Sequence, residues 1–212
     1  YSFDANGWMK TGWQVEDGAW RYYAPSGAMA TGWTAVGGTW YYLDPDTGAM
    51  ATGWVKDGDT WYYLHSSGAM ATGWVNLSGA WFYLNGNGSM ATGWVNLGGT
   101  WYYLTESGQM AIGWVKDGDT WYYLHSSGAM ATGWVNLSGA WFYLNGNGSM
   151  ATGWVNLGGT WYYLTESGQM AIGWVKDGGS WYFCHPSGAM ATGRVVIGGT
   201  AYTFDGSGRW VA

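Results

Sequence analysis

Charge is scarce in this chain: Asp, Glu, Lys and Arg together make up 9% of 212 residues, with a net charge of -6. No run of Lys or Arg occurs anywhere, so the basic footprint expected of a nucleic-acid binder is missing. An acidic chain is better suited to a cationic ligand. Cysteine is reduced to Cys184, at a position where other segments carry Leu64, Leu84 or Leu164, which reads as a small buried hydrophobe. No apolar stretch approaches a membrane span, and no basic-plus-hydrophobic leader opens the chain, so if the protein is secreted its signal is expected outside this sequence.

Groups for catalysis are equally thin. His65 and His125 lie in turns without a nearby Cys or carboxylate, and His185 has only the adjacent Cys184, which argues against a metal site. Glu106 and Glu166 are copies of one turn position, and Asp57 and Asp59 belong to a single turn. No Ser/His/Asp set or carboxylate pair stands apart from the pattern described next, so the chain is expected not to be an enzyme, although a catalytic domain could precede Tyr1.

What the chain has instead is Gly (39), Trp (20) and Tyr (17). They follow a fixed period. The Gly-Trp tryptophans Trp13, Trp33, Trp54, Trp74, Trp94, Trp114, Trp134, Trp154 and Trp174 are spaced by twenty residues, with one gap of twenty-one. Each is followed seven residues later by a second Trp, which from Trp40 to Trp161 opens a Trp-Tyr/Phe-Tyr-Leu run, as in Trp54 and Trp61. A period this short marks an array in which each unit buries its apolar face against its neighbours. Aromatic and β-branched runs broken by Gly-rich turns are hairpin signals. The expected fold is an all-β solenoid of stacked hairpins.

In the unit beginning at Gly53, residues 53–56 and 61–64 read as strands, and residues 65–68 read as a polar connection leading to Met70. Asp57-Gly58 suits a two-residue turn, which would set Trp54 directly opposite Trp61. Units whose glycine is shifted, such as Ser78-Gly79, are expected to have longer loops. Alternation places Trp54, Trp61 and Tyr63 on one face and Val55, Thr60, Tyr62 and Leu64 on the other. Because Tyr62 becomes Phe82 one unit on, that ring needs no hydroxyl and is expected to face shared core.

Residues 51–110 recur as 111–170 with a single difference, Thr52 against Ile112, a block of three units, consistent with about three hairpins per superhelical turn. The chain is read as one solenoid domain, 1–212. It has a partial first repeat over 1–12, full repeats over about 13–192, and a degenerate capping repeat over 193–212, where Arg194, Ala201 and Thr203 replace aromatics. Its start, halfway through a unit, suggests a piece of a longer array.

Stacking successive units is expected to bring Tyr83 over Trp54 and Trp61, with the thioether of Met70 alongside. Such a box of electron-rich faces suits a quaternary ammonium ion, which donates no hydrogen bonds. On these motifs the chain resembles the choline-binding repeat family of pneumococcal and phage cell-wall proteins. The family pattern Gly-Trp-x4-Gly-x-Trp-Tyr-Tyr-Leu-x3-Gly-x-Met runs almost verbatim from Gly73 to Met90, with Phe82 for the first Tyr.

The resemblance implies choline held at hairpin interfaces by two tryptophans, a ring of the next repeat and a methionine. It also implies attachment to phosphocholine on teichoic acids at the bacterial surface, extracellularly, with no cofactor and no insertion into a membrane. The array would be the targeting part of a murein hydrolase or surface protein, and choline could bring two chains together. Carried over by position, the sites are Trp13, Trp20, Tyr42, Met29; Trp33, Trp40, Tyr63, Met50; Trp54, Trp61, Tyr83, Met70; and Trp74, Trp81, Tyr103, Met90. They continue as Trp94, Trp101, Tyr123, Met110; Trp114, Trp121, Tyr143, Met130; Trp134, Trp141, Tyr163, Met150; and Trp154, Trp161, Phe183, Met170. A ninth, at Trp174 and Trp181, would lack its third ring because Thr203 stands there. Glucan-binding repeats with similar Gly-Trp and Tyr-Tyr-Phe units are the alternative. The Ala, Thr, Val and Met around the rings favour choline over a sugar, whose hydroxyls need polar partners.

Overall fold

A computed structural model describes residues 2–211. Twenty strands of five residues pair into ten two-stranded antiparallel sheets. The hairpins span residues 12–23, 32–43, 53–64, 73–84, 93–104, 113–124, 133–144, 153–164, 173–184 and 193–204. The described residues fall into two compact units, 2–96 with 103–110, and 97–102 with 111–211.

In the hairpin 53–64, strands Gly53–Asp57 and Thr60–Leu64 pair with Trp54 opposite Tyr63, Val55 opposite Tyr62, Lys56 opposite Trp61 and Asp57 opposite Thr60. The turn is therefore Gly58-Asp59, one residue later than the sequence suggested, and Trp54 is not opposite Trp61. Glycine explains the difference. Gly58 alone of the two turn residues takes a positive φ, 59°, the first-position requirement of a type II′ turn. In the hairpin 73–84 both turn residues, Ser78 and Gly79, have positive φ (53° and 92°), as type I′ requires. Moving the glycine changes the turn type, and the expected longer loops do not occur.

The register correction is a shift of two, which leaves every side chain on its expected face. Trp54, Trp61 and Tyr63 share the front of the hairpin; Val55, Tyr62 and Leu64 share the back. The core lies on the back. Leu43, Leu64, Leu84 and Leu104 in the first unit, and Leu124, Leu144, Leu164 and Cys184 in the second, are completely buried at the same strand position. Burial pushes the Cys184 thiol up to about 11, so the cysteine is an inert core residue.

Successive hairpins stack front to back. Phe82 and Leu84, on the back of the hairpin 73–84, pack with Ala71 against Trp54 and Tyr63 on the front of the hairpin before it. In the second unit Val135, Phe142 and Leu144 pack in the same way on Trp114 and Tyr123. Each connecting segment grips two hairpins. The Ala91 amide donates to the Tyr83 carbonyl of its own hairpin, and the adjacent Met90 amide donates to the Trp61 carbonyl of the preceding one, both at 2.8 Å. Methionine then lies on the glycine of the next connection. A Cβ on Gly108, whose φ is +80°, would lie 2.3 Å from Met90 Sδ. That glycine thus meets two demands at once, a left-handed backbone and room for sulfur.

Candidate ligand cages between successive hairpins

Front-to-back stacking decides which groups meet. The Trp54 and Trp61 rings stand nearly perpendicular, centroids 6.4 Å apart, and Phe82 of the following hairpin lies 5.0 Å from Trp54. Between them is a cavity of about 390 Å³ lined by Trp54, Trp61, Phe82, Met90, Glu106 and Ser107. Its counterpart in the second unit, about 380 Å³, is lined by Trp114, Trp121, Phe142, Met150, Glu166 and Ser167. Two further cavities have a tyrosine as third ring. Trp33, Trp40, Tyr62 and Met70 enclose about 350 Å³; Trp134, Trp141, Tyr162 and Met170 enclose about 330 Å³. The void on which the sequence reading depended is present.

The tryptophan pairs stand where the spacing put them, but the third ring does not. It is the first aromatic of the next hairpin's Trp-Tyr-Tyr run: Phe82 rather than Tyr83, Tyr62 rather than Tyr63, Phe142 rather than Tyr143, and Tyr162 rather than Tyr163. The physical reason is that the front of one hairpin meets the back of the next, so the closing ring has the opposite parity to the tryptophans. Trp13 with Tyr41 at 4.8 Å and Trp154 with Tyr182 at 4.8 Å follow the same frame, in place of Tyr42 and Phe183.

The second tyrosines support the first indole within their own hairpin. Tyr42, Tyr63, Tyr83, Tyr103, Tyr123, Tyr143 and Tyr163 lie between 5.0 and 5.2 Å from Trp33, Trp54, Trp74, Trp94, Trp114, Trp134 and Trp154 respectively. Phe183 does the same for Trp174 at 5.4 Å. Burial, with smaller contributions from Asp57 and Asp44, raises the Tyr42 pKa. Burial, with Asp177 and Glu166, raises that of Tyr163.

The methionines are also displaced by one unit. The Met70 amide is bound to the Trp40 carbonyl, so its thioether lines the Trp33 cavity rather than the Trp54 cavity; Met90 takes the latter place. Met50, Met110, Met130, Met150, Met170 and Met190 donate in the same way to the carbonyls of Trp20, Trp81, Trp101, Trp121, Trp141 and Trp161. Met29 packs against Gly48, as the other methionines pack on the glycine of the next connection.

At Trp174 and Trp181 the third ring missing from the sequence reading is Tyr202, 4.9 Å from Trp174, and Trp210 stands 6.0 Å away where other repeats have methionine. The Trp210 amide donates to the Trp181 carbonyl at 2.8 Å, as the methionines do. The signal for the correct ring was present in the sequence. The last hairpin keeps Tyr202 but has Thr203, while the tryptophan pair it closes is intact.

Two indole N–H groups are bonded away from the ring faces. Trp33 Nε1 donates to Asp57 Oδ2 at 3.0 Å, and Trp154 Nε1 to Asp177 Oδ2 at 3.2 Å. The ring faces remain as the recognition surface. No group of three or more His, Cys, Asp or Glu that could hold a metal ion occurs among the described residues.

The profile described as choline-binding repeat matches residues 1–31, 10–52, 51–92, 91–132 and 131–173, and a cell wall binding repeat profile matches residues 172–190. The chain belongs to the choline-binding repeat family. Among solved structures it is similar to CbpJ from Streptococcus pneumoniae TIGR4, at 35% identity and TM-score 0.77, covering 95% of this chain and 88% of that one. The choline-binding domain of CbpL from Streptococcus pneumoniae is 36% identical with TM-score 0.66, covering 88% of this chain and 100% of the domain. The modular autolysin LytC from Streptococcus pneumoniae, solved with a synthetic peptidoglycan ligand, is 30% identical with TM-score 0.71, covering 95% of this chain and 47% of that one. A search of curated proteins finds no match.

Proposed function

We propose that the repeats of residues 1–212 act as one non-catalytic module that holds choline in the cavities between successive hairpins. The module works extracellularly at the bacterial surface, attached to phosphocholine on cell-wall teichoic acid, and serves a murein hydrolase or surface protein. The observation that carries this reading is the cavity itself: two indoles, a third ring and a thioether around a space of about 390 Å³, without a buried polar side chain lacking a partner among the described residues. In the corrected frame the ligand-binding residues are the tryptophan pair of one hairpin, the first aromatic of the next (Tyr41, Tyr62, Phe82, Phe142, Tyr162 or Tyr182) and the methionine after that aromatic.

The ligand chemistry follows from the walls. A methylated ammonium ion donates no hydrogen bond and needs none from its host, and its charge is attracted to ring faces. A sugar in the same space would find partners for its hydroxyls only at the rim, at Glu106 and Ser107, and none on the ring and thioether walls. Each desolvated ring contact is worth about 2 kcal/mol at best, and ordering costs consume part of three of them. One cavity alone then binds at about millimolar strength, roughly -4 kcal/mol. Several cavities on a polymer bearing repeated phosphocholine gain a factor of about 10² to 10⁴. Repetition is therefore the source of retention.

The same proposal carries a choline-dependent pairing of two chains, tested by sedimentation with and without choline, and no nucleic-acid partner, in keeping with the net charge of -6. The main test is retention on a tertiary-amine resin followed by elution with free choline or with glucan oligomers. Elution by choline is expected; release by the oligosaccharide alone would overturn the reading.

A further inference from the structure

The four cavities are not equivalent at the rim. The connection after the hairpin two units on contributes Gly86 and Asn87 to the Trp33 cavity and Pro186 and Ser187 to the Trp134 cavity. To the Trp54 and Trp114 cavities it contributes a carboxylate, Glu106 or Glu166, with a serine. The turn bearing the carboxylate is fixed. Thr105 Oγ1 lies 2.8 Å from Ser107 Oγ and accepts the Gln109 amide at 3.2 Å, and the same bonds recur around Thr165. Neither glutamate has a hydrogen-bond or ion-pair partner among the described residues. Lys56 opposite Trp61 and Lys116 opposite Trp121 are not among the residues lining these cavities, and Lys56 Nζ lies 3.9 Å from Asp59.

Resting on the choline reading of these cavities, we propose that Glu106 and Glu166 make two of them selective for a quaternary ammonium that carries no nearby phosphate, in preference to phosphocholine. The array thus contains two classes of site. The glutamate-rimmed class takes free choline or another unphosphorylated trimethylammonium compound; the neutral-rimmed class accepts both ligands alike. A carboxylate at the rim of a cavity holding a cation, at an effective dielectric between protein surface and water, strengthens binding roughly three- to tenfold. A phosphate a few bonds from the ammonium meets repulsion of similar size and cancels the gain. Salt shortens the reach of both effects.

The two rings that report on this class are already distinctive. Phe82 and Phe142 line the glutamate-rimmed cavities, whereas the other two cavities have Tyr62 and Tyr162. Fluorophenylalanine incorporated into the full chain therefore gives fluorine resonances at these sites that can be followed by NMR during titration with choline and, separately, with phosphocholine. Choline is expected to bind there roughly three- to tenfold more tightly than phosphocholine at low ionic strength, with the ratio collapsing at high salt and in the E106Q/E166Q variant. An unchanged ratio in that variant, with choline still shifting both resonances, overturns this proposal and leaves the choline reading intact. No shift of either resonance with choline, together with no retention on the amine resin, overturns both.

Discussion

The hairpins 73–84 and 193–204 share one backbone and differ in what they show on their fronts. Both place a glycine opposite the last strand residue, Gly73 with Leu84 and Gly193 with Phe204. Both are followed by a connection bound to the preceding hairpin, Met90 to Trp61 and Trp210 to Trp181, each at 2.8 Å. Their backs match as well, with Val75, Phe82 and Leu84 in one and Val195, Tyr202 and Phe204 in the other. Their fronts do not: Trp74, Trp81 and Tyr83 are replaced by Arg194, Ala201 and Thr203. A hairpin thus docks on the preceding one through its back face and its connection, and its front matters where another hairpin follows. There the first tryptophan of the pair is packed against by the next hairpin, as Trp54 is, while the second, such as Trp81, stays half-exposed as a ligand surface requires.

If this division holds, the largest loss of stability comes from the back. Leu84→Ala, at a completely buried position, is expected to cost about 2–5 kcal/mol in denaturant unfolding. Equal destabilisation by Trp81→Ala, 43% exposed, would break the comparison. Next in size is the effect on binding. Trp61→Ala is expected to remove about 2 kcal/mol from choline binding at its cavity, read by calorimetry, while leaving the fold intact.

The third ring offers a finer discrimination. Phe82→Leu is expected to weaken choline binding at the Trp54 cavity by about 1–2 kcal/mol, whereas Tyr83→Phe should leave that cavity unchanged. The reverse result would restore the second tyrosine as the closing ring.

The smallest expected effect concerns a back face that departs from the apolar rule. In the hairpin 12–23, Glu16 accepts hydrogen bonds from Lys10 Nζ at 2.6 Å, the Tyr23 hydroxyl at 2.7 Å and Ser2 Oγ at 3.2 Å. The bonds from Lys10 and then Tyr23 lower its pKa from 4.5 to about 2. The stability it contributes is therefore present above pH 4.5 and lost as pH falls from there towards about 2. Amide protection, corrected for the intrinsic pH dependence of exchange, should fall over that window in residues 12–23 and not in residues 73–84, whose back is apolar.

Much of this was legible in the sequence because it is local. Period, strand positions and the sorting of Trp54, Trp61 and Tyr63 to one face need only alternation. The turn was ambiguous by one residue because Asp57-Gly58 and Gly58-Asp59 are both turn formers, and the choice between them moved the register without moving a side chain to the other face. The closing ring and the methionine were misplaced for a different reason. Whether fronts meet fronts or backs is a tertiary choice, fixed by Leu84 and Phe82 seeking the Trp54 and Tyr63 surface, and parity within one hairpin does not contain it.

The walls of the Trp54 cavity come from three consecutive repeats: the indole pair, then Phe82 and Met90, then Glu106 and Ser107. An occupant there acts as a rivet through three layers. Linkage adds about 2.7 kcal/mol for a site filled at a hundred times its dissociation constant, so the stack tightens wherever it is anchored. A loose chain in solution and a stiff one on the wall would be the same molecule, with its rigidity set by the surface that holds it.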